Sequence, residues 1–200
     1  MPKRIARNPI LSKAIFENAY KNVAPSLYTK TNMEKLGLSN IICIPNSLEL
    51  NIYPYKKRTL KSIKLLWVRS FSKIYNPFLA IDILKNFIDD GFEAELCMIG
   101  PENDGSLELT KAYAKEQGVS VSFTGKLSKK EWIILSEKYD IFINTTNIDN
   151  TPVSVIEAMA LGLPIVSTNV GGMPFLIEHG VDGILVEPDD VNAFKTAITS

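Results

Sequence analysis

The chain has 200 residues, of which 46% are hydrophobic and 22% charged, and its 22 basic and 22 acidic side chains cancel to a net charge of zero. That length suits one domain with added elements, and that apolar content is enough for a true core. A balanced charge without a long basic run argues against a nucleic-acid-binding protein, which presents a basic face. No apolar run reaches the length of a membrane span. Cys43 and Cys97 lie far apart in apolar, strand-like runs, without Cys-x-x-Cys spacing, and read as buried free thiols of a reducing compartment.

The N-terminal stretch MPKRIARNPILSKAIFENAY is basic and amphipathic but has no signal-peptide core. A helix packed on its own domain is favoured over one resting on a membrane surface. Residues 1–50 read as a partial unit: a helix from Ile10 to Asn22, a short strand at Val23-Ala24, a helix from Leu27 to Leu36 ended by Gly37, and an apolar strand from Ile41 to Ile44 closed by Pro45-Asn46. Residues 47–60 read as a linker, with Lys56-Lys57-Arg58 as a solvated basic loop. From Ser62 onward strands alternate with helices. The strands are Ile63–Val68, Ala94–Ile99, Val119–Phe123 and Ile141–Ile143, and the helices are Pro77–Ile88, Leu107–Gln117 and Lys130–Lys138, the last with Ser128 as N-cap. A final helix runs from about Asp190 to Ser200. This alternation predicts an α/β fold, a doubly wound, Rossmann-like parallel sheet covered by helices on both faces.

The stretch from Asn144 to Asp189 organises the chemistry. It reads as a buried strand, a polar loop, a helix, a second strand, a Gly-Gly turn, a short helix and a third strand. Thr151 is placed to be the N-cap of the helix and Pro152 its first residue. Gly162 and Pro164 stop that helix after Leu161. Its first N–H groups, near Val153 and Ser154, would face the ligand-binding edge of the sheet, where a helix N-terminus attracts phosphate. Asp149 and Glu157 bring two carboxylates to the same crevice. As a glycosidase pair they are poorly placed: eight residues of helix span roughly 12 Å, whereas retaining glycosidases need about 5 Å. No Gly-x-Gly-x-x-Gly follows the first strand of the alternating region, which disfavours a dinucleotide oxidoreductase. His179, the only histidine, reads as a helix-end residue, and no cluster has metal-ligand spacing.

Asp149, seven residues, then Glu157-Ala158, followed by Gly162-Leu163-Pro164, Gly171-Gly172 and Asp182–Val186, resembles the signature of retaining glycosyltransferases of the glycogen-synthase-like group. These have two facing Rossmann-type domains, the GT-B fold. The first acid of that signature is ordinarily Glu and is Asp149 here. The resemblance implies that residues 1–50 are the tail of an otherwise missing N-terminal acceptor domain with the start of a linker. It likewise implies that 51–200 are a nucleotide-sugar donor-binding domain, truncated at its C-terminal end. The implied donor is a UDP-sugar or GDP-sugar, the acceptor a saccharide or lipid-linked sugar, the reaction hexosyl transfer with retention, and no metal or other cofactor is required. Asp149 and Arg69 would be the catalytic pair, with Arg69 gripping the diphosphate through its guanidinium fork. Glu157 would hold the ribose. Asn150, Thr151, Pro152 and Val153 would line the diphosphate and sugar, and Gly125, Lys126 and Leu127 the base, with Thr145 facing the same crevice. Where the family carries a Lys-Gly pair after its arginine, this chain reads Tyr75-Asn76-Pro77, leaving Lys73 as the candidate second phosphate cation. The implied setting is cytoplasmic, with peripheral placement at the inner membrane surface left open. The alternative functions are a non-catalytic sugar-nucleotide-binding module that needs a partner chain, and a nucleotide-sugar epimerase; the candidate protein partners are a chain that supplies the N-terminal half, or a second copy through self-association.

Overall fold

The computed structural model describes residues 8–59 and 62–200. Residues 1–7, which carry much of the basic N-terminal stretch, and residues 60 and 61 at the linker's end lie outside the described residues. The chain divides into two compact units, the first ending at Ser47 and the second starting at Leu48.

The first unit holds α1 (Pro9–Asn18), β1 (Asn22–Ala24), α2 (Leu27–Lys35) and β2 (Ile41–Cys43), with β1 and β2 paired in parallel. Ala24, Met33 and Leu38 form its small core, with Phe16 and Ile41 packed against them. Helix α1 stops at Asn18, short of the predicted Asn22, because Ala19 is extended and Asn22 enters the strand. The Asn22 side chain then donates to the carbonyls of Phe16 (3.0 Å) and Ser39 (2.9 Å), which ties both flanks to β1. Cys43 is half-buried in this short strand, against the expectation of a buried thiol, whereas Cys97 in the second unit is buried.

The second unit is the predicted doubly wound sheet. Its strands are β3 (Ile63–Val68), β4 (Ala94–Ile99), β5 (Ser122–Gly125), β6 (Ile141–Asn144), β7 (Ile165–Thr168) and β8 (Ile184–Val186). They lie in the order β5-β4-β3-β6-β7-β8, and every neighbouring pair is parallel. Residues alternate between the two faces of each strand. Leu65, Trp67, Leu96, Met98 and Ile143 enter one core, and Leu66, Cys97, Ile99 and Phe142 enter the other. The first core is covered by α3 (Pro77–Asp89), α4 (Ser106–Glu116) and α7 (Val191–Thr199), through Ile81, Leu84, Ala114 and Phe194. The second is covered by α5 (Lys129–Ser136) and α6 (Val153–Ala160), through Trp132, Val155 and Ala158.

Two further predictions need correction. Strand β5 begins at Ser122, not at Val119, because helix α4 closes with a Schellman turn. Gly118 (φ +69°) donates to Lys115, and the Val119 N–H donates to Ala114 at 3.0 Å, so Val119 belongs to the helix end. In the basic cluster of the linker Lys56 and Lys57 are exposed, as expected of a solvated loop, but Arg58 is not. Arg58 Nη1 donates to the carbonyls of Ser136 (3.2 Å), Glu137 (3.3 Å) and Tyr139 (2.9 Å), and Nη2 to that of Leu161 (3.4 Å). Lys56 donates its main-chain N–H to the Leu161 carbonyl as well. The Ser136, Glu137 and Leu161 carbonyls end α5 and α6, where the partial charge is negative and a cation is favoured. The segment before β3 is therefore strapped across two helix ends.

Candidate functional site

The sheet order reverses between β3 and β6. The first connections run from β3 outward to β4 and β5, and the chain then returns to β6 and winds outward to β7 and β8. Ligands of open α/β sheets bind beyond the carboxyl ends of the strands at this reversal, because the flanking loops part there. Arg69 directly follows β3, and residues 145–152 follow β6 to lead into α6. The predicted phosphate-binding elements thus converge on the reversal point.

The loop carrying Arg69 is held from below. The Arg69 N–H donates to Ile99 and the Phe71 N–H to Pro101 at 2.8 Å. Gly100 lies so close that a Cβ there would sit 1.7 Å from the Arg69 carbonyl oxygen. Asp104 accepts from the Ser72 hydroxyl (2.7 Å), the Lys73 N–H (3.1 Å) and the Ser106 hydroxyl. Those bonds, from Ser106 first and Ser72 next, hold its carboxyl down at about 2.

Arg69 and Asp149 form an ion pair in which both side chains are nearly buried, at 12% and 13% exposure. The guanidinium carbon lies 4.0 Å above the centre of the Tyr75 ring, a cation–π contact. Burial pushes the Arg69 guanidinium below its ordinary range, opposed by the electrostatic pull and hydrogen bond of Tyr75. The group stays charged all the same. Asp149 also accepts the Asn150 N–H at 2.7 Å, and its main-chain carbonyl accepts the Gly172 N–H at 2.8 Å. A Cβ on Gly172 would meet the Asn150 carbonyl oxygen at 1.6 Å, and one on Gly171 the Asp149 carbonyl oxygen at 2.1 Å. The Gly-Gly turn thus serves to let the backbone of the Asp149 loop lie directly on it.

Helix α6 starts at Val153 with Pro152 as N-cap, and no side chain caps it. This corrects the expected Thr151 cap. The Thr151 and Ser154 hydroxyl oxygens are buried without a hydrogen-bond partner. The first intrahelical bonds are donated by Val155 and Ile156 to Pro152, so the N–H groups of Val153 and Ser154 precede the ladder at the sheet edge. A helix start without a side-chain cap leaves its dipole end available to an anion.

Glu157 lies farther along α6 and is 4% exposed. Its Oε1 accepts the Tyr53 hydroxyl at 2.8 Å and is ion-paired with Lys129 Nζ. Burial raises the Tyr53 hydroxyl, and loss of water lowers the Lys129 ammonium. Neither partner was foreseen. Tyr53 stands 104 residues from Glu157 and Lys129 stands 28 away, and no local spacing announces such contacts.

The other predicted residues fall in three groups. Gly125 (φ +70°) ends β5, and its carbonyl accepts the Gly100 N–H at 3.0 Å; Lys126 beyond it is exposed, and Leu127 packs on the second core. Lys73 is exposed beside a cavity of about 260 Å³ lined also by Asn76, Phe78, Ser106 and Leu109. Thr145, expected to face the crevice, is fully buried instead. Its hydroxyl accepts from Trp67 Nε1 at 2.9 Å and reaches the carbonyls of Tyr75 and Asn76, each at 2.9 Å, so it joins the β3 loop to β6 from inside. His179 Nδ1 accepts the Leu185 N–H at 3.1 Å, a bond that shapes the turn before β8. Among the described residues, no three His, Cys, Asp or Glu side chains stand together as metal ligands.

Residues 63–200, which span the whole parallel sheet, match the family described as Glycosyl transferases group 1. The chain belongs to that family. Among curated relatives of this glycosyl transferase chain, the sulfoquinovosyl transferase SQD2 of Arabidopsis thaliana is 33% identical over 127 residues, covering 60% of the chain and 23% of that protein. The human alpha-1,3/1,6-mannosyltransferase ALG2 is 24% identical across 96% of the chain and 48% of its own length. Among solved structures, Anabaena HepE in complex with UDP and glucose superposes with a TM-score of 0.85 at 19% identity, over 100% of the chain and 58% of that protein. That likeness establishes the fold as the Rossmann-like kind found in GT-B proteins. The chain thus spans less than two thirds of the length of these relatives. Among the described residues, no helix is long and apolar enough to cross a membrane.

Proposed function

We propose that the second unit binds the nucleoside diphosphate part of a sugar-nucleotide donor, a UDP-sugar or GDP-sugar, and serves transfer of its hexosyl group to a saccharide or lipid-linked acceptor with retention. The observation that carries this reading is the ion pair of the Arg69 guanidinium with Asp149, in the loop that leads from the reversal of the sheet into the uncapped start of α6. Glycosyl transfer leaves negative charge on the departing diphosphate, and fixed positive groups in a crevice sheltered from water stabilise that charge most effectively. Arg69 offers a planar fork for two phosphate oxygens, and the Val153 and Ser154 N–H groups offer two more donors. Glu157 is then the acceptor for the ribose hydroxyls, and the Gly125–Leu127 loop lies toward the base. Asp149 stands at the sugar end, ion-paired with Arg69 until the diphosphate arrives. The comparison with HepE, crystallised with UDP and glucose, supports the nucleotide class.

The test is calorimetric titration of the chain with UDP, GDP, ADP and NAD, repeated on Glu157→Ala. The reading requires micromolar to millimolar binding of one nucleoside diphosphate, weakened about tenfold or more in the variant, since a lost bond to a charged acceptor is worth ~1.5–3 kcal/mol. Binding of NAD in preference to the diphosphates would overturn it.

A further inference from the structure

Glu157 is the buried acid of the site, and the way it is held is not explained by helix packing alone. An ionised carboxylate taken out of water costs several kcal/mol unless it is paired and hydrogen-bonded. Here the side chain keeps only 5% of its surface, while that of its partner Lys129 keeps 46%. The cation therefore reaches from the surface inward to meet a fixed acid. Its ammonium sits 5.9 Å from the Tyr53 ring centre and 6.0 Å from that of Trp132, so two aromatic faces flank it. Both Tyr53 and Lys129 donate to the same oxygen, Oε1. Two donors from separate elements on one oxygen fix the plane of the carboxylate.

The placement of Lys129 is also fixed. It is the first residue of α5, directly after Ser128, and a capping box between Ser128 and Glu131 sets the helix start. The residues just before it are the Gly125–Leu127 loop. One side chain thus connects the loop proposed for the base with the acid proposed for the ribose. Tyr53 comes from the strapped segment that Arg58 anchors on the ends of α5 and α6.

We propose that Lys129 and Tyr53 are positioning residues that keep Glu157 ionised and turned so that its carboxylate meets the vicinal hydroxyls of a ribose. The proposal rests on the nucleotide reading of the site. It makes donor selectivity for a ribonucleoside a property of three residues from three elements, where the motif supplies only one.

The test compares UDP with 2′,3′-dideoxy-UDP, and GDP with its dideoxy form, on the wild type, Lys129→Met, Lys129→Arg and Tyr53→Phe. Calorimetry gives the affinities, and a thermal melt of each variant accompanies it. The wild type should prefer the ribonucleotide by about tenfold or more, because a polar site left unpaired rejects the analogue. Lys129→Met should bring that preference to about twofold, Lys129→Arg should keep most of it, and Tyr53→Phe should fall between them. A plain helix tie would instead lower the melting temperature of Lys129→Met and leave the ribose-to-dideoxyribose ratio at its wild-type value, which would overturn the proposal. A wild type that binds the dideoxy form equally well would remove the ribose role of Glu157, and this inference with it, while leaving the diphosphate reading in place. A wild type that binds neither pair would overturn both.

Discussion

The site contains two ion pairs of opposite build. In Arg69–Asp149 both partners are loop residues, Arg69 directly after β3 and Asp149 in the loop between β6 and α6, and are about equally exposed, at 12% and 13%. In Lys129–Glu157 both lie on helices, and exposure is divided between 46% and 5%. The first pair brings together two charges that the proposed diphosphate must meet from the same side. The second supports an acid that would receive a neutral diol. On the proposed reading the same interaction type would compete with the ligand in one pair and support its binding in the other. A count of salt bridges would miss this, since a pair's worth depends on what each partner does once the other is gone.

Replacing Arg69 with Ala should have the largest effect, because it removes the phosphate fork and leaves Asp149 as an unpaired anion facing the ligand. Affinity for the diphosphate should fall about a hundredfold, ~2.7 kcal/mol, read by calorimetric titration. A loss below fivefold would mean that the α6 start carries the phosphate by itself, and the contrast between the two pairs would collapse to a single pole.

The reverse change sharpens the contrast. Asp149→Asn removes the internal competitor and leaves the nearly buried guanidinium without its anion, a state that any incoming anion relieves. Diphosphate binding should tighten by about fivefold, ~1 kcal/mol, even as the residue proposed for the sugar end is lost. The gain should shrink as salt is raised, since screening weakens partly exposed charges. Weaker binding in the variant would show that Asp149 steers Arg69 and does not oppose the ligand.

How much of this was legible in the chain follows sequence distance. Strand and helix alternation, the β3 and β4 boundaries, the Ser128 cap and the Gly171-Gly172 turn were readable, because each is set by residues within a few positions. The support of Glu157 was not, since Tyr53 comes from a segment whose composition suggested only a linker. The contacts of Arg58 before β3 escape a reading of composition for the same reason. Composition shows that Lys56-Lys57-Arg58 is charged, but not that the carbonyls of Ser136, Tyr139 and Leu161 lie where Arg58 reaches. Thr145 and Thr151 were judged by residue type. A Thr next to a polar loop is as well suited to bridging two strand ends from inside as to facing a ligand, and only the Trp67 indole opposite Thr145 decides between them. The family resemblance singles out Asp149 and Glu157 by motif spacing, a kind of information that local propensity lacks.

The smallest expected effect separates the supports of the two pairs. Lys129–Glu157 is held by helix geometry, whereas Arg69 sits on a loop that Asp104 pins through Ser72, Ser106 and the Lys73 N–H. The Asp104 carboxyl is held at about 2, below its ordinary value near 3.9. A depressed carboxylate contributes stability that is fully present above its unfolded pKa and is lost as the pH falls through the folded one. The contribution of Asp104 should therefore be constant from neutral pH down to about 5 and should fade between about 4 and 2. Scanning calorimetry of the wild type and Asp104→Asn across that range should give a melting-temperature gap that is level above pH 5 and closes toward pH 2. A gap that persists at low pH would mean that the shape of the side chain, and not its charge, holds the Arg69 loop. The phosphate end would then rest on packing as firmly as the ribose end does, and the difference between the two poles would lie in their ligands alone.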